Sequence, residues 1–278
     1  MVGPLPAATR RVTARLLWAL ALLLGACAPP PARTNSAAAG PATLDVYAAA
    51  SLSGAFDDIG RAFAGQTPGV EMRHNFAGSQ AVAQQIINGA PADVFASADA
   101  RQMDAVVASG LIAAEDVHVF ARNHLVIIVP PDNPAGIGSL ADLAQPGLAL
   151  VLAAEEVPLG AYSRQMLGSA AALPEYGADF ASRVLANVVS LEDNVRAVVT
   201  KVALGEADAG IAYANDAAGD AVVGWVAVPA GLDVTASYYL AAVAKRPNRA
   251  LADQYVDFVL SEQGQAILAE NGLVPGGN

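Results

Sequence analysis

Apolar and polar positions along this chain switch repeatedly between two periods. Short strand-like runs, TLDVYAAA, VEMRHNF and ADVFASA, are followed by segments of helical period, SLSGAFDDIGRAFAGQ, SQAVAQQIING and ARQMDAVVASG. In the first of these helices Leu52, Phe56, Ile59 and Phe63 recur every three or four residues and form one apolar stripe. Gly and Pro in QTPGV close it. ARNHLVIIVPPDNPAG reads as one strand running into a loop, and a second set then begins. LALVLAA precedes the helix GAYSRQMLGS, the strand RVLANVVS precedes NVRAVVTKVALG, and ADAGIAYA precedes a short acidic helical segment. GWVAVP and YYLAAVA are further strands. RALADQYVDFVLSEQGQAILAENG carries two terminal helices, with Ser261 capping the second and Gly272 stopping it. Strands alternating with helices predict an α/β protein of two similar lobes. Each lobe is expected to be a mostly parallel sheet flanked by helices, hinged around a cleft, with residues 43–122 and 237–278 in the first lobe and 123–236 in the second.

Composition changes this picture at the N-terminus. The chain of 278 residues is 54% hydrophobic with a mean hydropathy of +0.40. Alanine inflates that figure, and beyond the N-terminus no apolar run approaches the roughly 20 residues that span a bilayer. Arg10, Arg11 and Arg15 precede LLWALALLLGACA, the layout of a secretory signal peptide over residues 1–26. Its end, with Leu24 three residues before Cys27 and small residues between, resembles a bacterial lipobox. That resemblance implies cleavage before Cys27 and attachment of lipid to its thiol, the alternative being an ordinary signal with Cys27 incidental. Residues 27–42, rich in Pro, Ala and small polar side chains, then read as a lipidated cysteine and flexible tether. Cys27 is the one cysteine in the chain, so no disulfide framework holds the fold. Loss of residues 1–26 removes three arginines and no acid, taking the formal charge from −11 to −14. So acidic a chain is ill suited to nucleic acid. It must also hold any anion by local groups against its own field.

Enzyme signatures are absent. FAGSQAV lacks the second glycine of a nucleophile elbow, and there is no Walker loop and no HExxH. His74, His118 and His124 lack metal-ligand spacing and read as surface or satisfied structural residues. What stands out is a set of residues where strands give way to helices. Ser51 ends the first strand, Ser79 holds the same place before AVAQQI, Pro158, Leu159 and Gly160 open a later helix, and Asn194 and Val195 open another. Helix N-termini offer unpaired N–H groups and a positive dipole end to an anion, and ligands in open α/β sheets collect at the carboxyl ends of strands. Any one of these serines is more commonly a helix cap than a ligand. Periodicity and composition alone stop at a two-lobed α/β binding protein.

Six segments in this order carry a resemblance: AAASLSGAF, HNFAGSQAVAQQIINGAPADVFASAD, ARNHLVIIVP, EEVPLGAYS, EDNVRAVVTKVALGEADAGIAYA and FVLSEQGQAILAENG. From Thr43 to about Val274 the chain resembles the periplasmic molybdate-binding proteins of ABC importers, which have the type II solute-binding fold. The resemblance implies a non-enzymatic receptor that holds molybdate, and tungstate, between its lobes and delivers it to an ABC permease. It implies hydroxyl and amide donors at Ser51 and Ser79, backbone N–H donors at Leu159 and Val195, and a phenol at Tyr213, with no metal ligated by side chains and no cofactor. Gln80 departs from a second serine common in the family, and Leu159 is bulkier than the alanine often found there. Ser53 is expected to serve only the helix start, and Arg196 to point away along its helix. The expected setting is extracytoplasmic, a monomer anchored to the membrane through lipid at Cys27. Molybdate and tungstate are acceptor-only dianions at neutral pH, whereas phosphate keeps a proton and calls for an acceptor. Sulfate or another oxyanion on the same fold stays open as an alternative. A secreted hydrolase using Ser51 or Ser79 lacks a base, and a regulatory sensor fits poorly with a signal peptide.

Overall fold

The computed structural model describes residues 42–218 and 223–276, with Gly3 alone before them. The expected signal peptide, Cys27 and tether lie outside the described residues. Strand β1 (Ala42–Ala49) buries Leu44, Val46 and Ala48 and lies between β2 (Val70–Ala77) and β3 (Val94–Ser97), parallel to both. Helix α1 (Ser53–Gln66) returns the chain from β1, with Leu52, Phe56, Ile59 and Phe63 all buried as their spacing requires. α2 (Ser79–Ile87) and α3 (Ala100–Ala108) follow β2 and β3. Three further strands complete this sheet, namely β4 (His118–Asn123), β10 (Ala236–Ala242) and β11 (Val274–Pro275), in the order β11-β4-β10-β3-β1-β2. β10 is antiparallel to both its neighbours, so β1, β2, β3 and β4 share one direction. The terminal helices α8 (Arg249–Leu260) and α9 (Glu262–Glu270) pack beside it, Tyr255 setting its ring edge-on to Phe63 at 5.3 Å. Ser261 caps α9 by accepting from the N–H of Gly264, and Gly272 ends it at φ +78°.

The second sheet has the order β7-β6-β8-β5-β9, from β5 (Leu125–Val129), β6 (Leu150–Ala153), β7 (Val188–Glu192), β8 (Ala209–Tyr213) and β9 (Gly224–Ala227). β6, β7 and β8 run parallel and β5 opposes β8 and β9. Its helices are α4 (Pro158–Ala171), α5 (Phe180–Ala186), α6 (Val195–Ala203) and the short α7 (Ala214–Ala217). Val195, Val198, Val199 and Val202 form the buried stripe of α6.

Two readings of the sequence change. ARNHLVIIV is not one strand: β4 ends at Asn123, β5 begins at Leu125, and the two belong to different sheets. His124 is therefore a crossover inside a stretch that local pattern alone reads as one strand. RVLANVVS is not one strand either, because Arg183–Ala186 finishes α5 and only Val188 onward is extended. The chain recrosses between β9 and β10, and the two crossovers meet where His124 Nδ1 lies 2.6 Å from Asp233 Oδ2. His74 likewise pairs with Asp57 at 3.0 Å and His118 is exposed. No helix among the described residues is long and apolar enough to cross a membrane.

Candidate ligand-binding site

The register of the sheets explains why distant residues converge. Ala49 pairs with Ala77 at the carboxyl ends of β1 and β2, so Ser51 and Ser79 emerge side by side. Ala153 pairs with Glu192 in the second sheet and Val151 with Gly210, which brings the starts of α4 and α6 and the end of β8 to one edge. The two edges face each other across a small cavity. Ser51, Ser79, Leu159, Val195 and Tyr213, all five residues singled out from the sequence, line it.

The lining is built of donors. Ser79 and Val195 are the first residues of α2 and α6, and Leu159 is the second of α4, so their N–H groups have no intrahelical carbonyl to bond. Pro158 at the head of α4 is pre-set for that position and has no N–H to lose. Asn194 caps α6 through its side chain, accepting from the N–H of Ala197. Neither serine caps a helix: Ser51 sits in a 3-10 turn over Ala50–Leu52, and Gly78 is the cap residue of α2. Their hydroxyls turn elsewhere. Ser79 Oγ accepts from the N–H of Ala98 at 3.0 Å, and Ser51 Oγ accepts from Tyr238 Oη at 3.0 Å. Tyr213 Oη is buried at the cavity with no partner among the described residues. Burial pushes its phenol well above the ordinary tyrosine value, so it stays protonated. Among the described residues, neither a carboxylate nor a cationic side chain lines the cavity.

Around this lining, contacts cross from one sheet to the other. Arg196, expected to point away, donates to Ser53 Oγ at 2.8 Å and lies 3.3 Å from Asp216 Oδ1. Ser53 therefore does more than start α1; it accepts a bond from the opposite side of the cleft. Asp216 is buried, and that burial outweighs Arg196 and lifts its carboxyl to about 7. Gln80, which replaces the family's second serine, donates through Nε2 to the carbonyl of Asp193 at 2.8 Å. Arg101 Nη2 donates to the Glu156 carbonyl at 2.7 Å. Gly78 is held to glycine by this approach, since a Cβ there would stand 2.3 Å from Asp193 O.

Sequence reasoning missed the polar groups behind the lining, Tyr238, Asn123 and Asn215. Tyr238 lies 187 positions from Ser51 and its period-two pattern marks only a buried strand face. Asn123 was hidden inside the run read as a single strand. The one usable signal was the polar pair Asn123-His124 immediately before the apolar LVIIV.

A model of the bacterial extracellular solute-binding proteins matches residues 44–274. The molybdate-binding protein ModA of Mycobacterium tuberculosis H37Rv is 39% identical over 248 residues, covering 86% of this chain and 90% of that protein. Among solved structures, the periplasmic molybdate-binding protein of Azotobacter vinelandii superposes with a TM-score of 0.70 at 22% identity, over 83% of this chain and 98% of that one. The sulfate-binding protein SubI of M. tuberculosis H37Rv superposes at 0.75 with 20% identity, over 84% and 87%. At those identities the structures establish the fold, the type II periplasmic binding architecture of two sheets joined by crossover strands. With its family match spanning both sheets, the chain belongs to the bacterial extracellular solute-binding proteins, a family of receptors rather than enzymes.

Proposed function

We propose that this protein is an extracytoplasmic receptor that captures molybdate between two lobes and delivers it to an ABC importer. The observation that carries the reading is a cavity onto which donors converge, with no charged side chain in its lining among the described residues: first-turn N–H groups of three helices, two serine hydroxyls and the unpartnered phenol of Tyr213. An acceptor-only dianion completes such a site, whereas a carboxylate in the lining would repel it. Each hydrogen bond to a charged partner contributes about 1.5–3 kcal/mol, so a handful offsets desolvation of the anion. The 39% identity to a molybdate-binding protein supports molybdate as the occupant. Tungstate shares its charge and shape and is a second ligand.

The lobes we assign are residues 43–122 with 237–278, and residues 123–236. The hinge lies at His124 and in the segment between β9 and β10. Ser51 and Ser79 belong to one lobe and Leu159, Val195 and Tyr213 to the other, so the anion draws the lobes together and the permease recognises the closed form. Removal of residues 1–26 and lipidation of Cys27 tether a monomer to the membrane.

Titration calorimetry against molybdate, tungstate, sulfate and hydrogen phosphate tests the reading. Molybdate and tungstate are expected to bind and to raise the melting temperature, and Ser51→Ala or Ser79→Ala to abolish most of that rise. A wild-type protein with no response to either anion overturns the assignment.

A further inference from the structure

We propose that Asn123 and Tyr238 are positioning residues that fix the Ser51 hydroxyl as a donor, and that through them the site discriminates against oxyanions carrying a proton. This deepens the reading of the cavity as an oxyanion site and rests on it. The backbone N–H of His124 can only donate, and Asn123 Oδ1 accepts from it at 2.9 Å. That fixes the Asn123 amide, so its Nδ2 must face the other way, toward Asn215 Oδ1 at 2.7 Å and Tyr238 Oη at 3.5 Å. Asn215 gives an independent check: with its oxygen so used, its Nδ2 lies 2.8 Å from the carbonyl of Ser51, where only a donor fits.

An amide nitrogen offers Tyr238 protons and no lone pair. The phenol proton is thereby directed to Ser51 Oγ at 3.0 Å. Ser51 Oγ has then accepted its bond from the protein, and its own proton is left for the cavity that it lines. Ser79 repeats the arrangement more simply, because the Ala98 N–H donates to its Oγ at 3.0 Å. Asn123, Tyr238 and Ser51 are all buried, so water does not reset these directions. A tetrahedral anion without a proton meets donors on both serines. An anion with one proton meets the same donors at both serines, and its own proton must compete for the one lone pair left on a serine or for Tyr213 Oη, so it forms fewer good hydrogen bonds there.

The test uses two dianions at pH 8, molybdate without a proton and hydrogen phosphate with one, plus sulfate as a second unprotonated dianion. In Asn123→Asp the new carboxylate still accepts from the His124 N–H but also accepts the Tyr238 proton. Tyr238 can then accept from Ser51, which turns its lone pairs to the cavity. In Tyr238→Phe the ring keeps its packing near Phe120 and Tyr213, and Ser51 loses its fixed donor. The expected result, by calorimetry and competition, is a molybdate-to-hydrogen-phosphate affinity ratio at least about tenfold lower in each variant than in wild type. A merely structural role, or a simple added charge, weakens both dianions alike and leaves the ratio unchanged. An unchanged ratio in Tyr238→Phe overturns the proposal even where Asn123→Asp fails to fold. So does a wild-type protein that binds hydrogen phosphate as tightly as molybdate. A wild-type preference for sulfate over molybdate defeats the molybdate reading instead, and the relay is then judged on the sulfate-to-hydrogen-phosphate ratio.

Discussion

A phenol buried without a partner weakens the free protein and waits for a ligand. Tyr213 Oη is such a group, and an unsatisfied buried hydroxyl costs about 1–3 kcal/mol. Tyr213→Phe is therefore expected to leave the ligand-free melting temperature equal or slightly higher, while molybdate affinity falls about tenfold or more. Melting curves without ligand, set beside calorimetry with it, check both halves; a loss of ligand-free stability would show that the hydroxyl has a structural partner. Ser51 and Ser79 were legible in the sequence because each follows a strand of similar apolar pattern, and strands in register end level. That neither caps a helix was not, since the 3-10 turn at Ala50–Leu52 shifts the start of α1 to Ser53 and Gly78 takes the cap position of α2.

Among the elements, the helix starts differ in what holds them. Gly160 lies against its own lobe: a Cβ there would stand 1.9 Å from Ala154 O and 2.6 Å from Ala153 O, at the end of β6. Gly78 lies against the other lobe, through Asp193 O. Gly160→Ala is expected to destabilise the ligand-free protein by about 3 kcal/mol, because backbone packed within one lobe cannot move aside. Gly78→Ala is expected to leave ligand-free stability within about 0.5 kcal/mol yet lower molybdate affinity more than about tenfold, because the lobes relieve the clash by staying apart. Denaturant unfolding and calorimetry on the two variants separate these outcomes. The alternation of strands and helices was readable because period-two and helical patterns rarely mix inside one element. The joins were not. Polar Asn123 and His124 give way to apolar Leu125 as the chain passes between sheets, but such a change also occurs within strands, and only pairing partners far along the chain decide where one strand stops.

For the molecule as a whole, the donor-only site was legible in part: the five lining positions came from strand ends and resemblance, whereas the relay behind Ser51 depends on contacts spanning 115 to 187 positions, which no local pattern encodes. Among the described residues no cation lines the cavity, in a chain of formal charge −11, and this bears on how quickly the anion arrives. Most anion sites attract their ligand at long range, and added salt slows them. Here the long-range field repels a dianion, and attraction begins only at the helix ends and hydroxyls within contact distance. Added inert salt screens the repulsion over a Debye length of about 10 Å at 0.1 M and leaves the short hydrogen bonds nearly untouched. Stopped-flow mixing with molybdate, followed by intrinsic tyrosine fluorescence, is expected to show association speeding up from 10 to 200 mM sodium chloride, by about threefold, while dissociation stays constant. A receptor of this charge captures its anion fastest in salty surroundings.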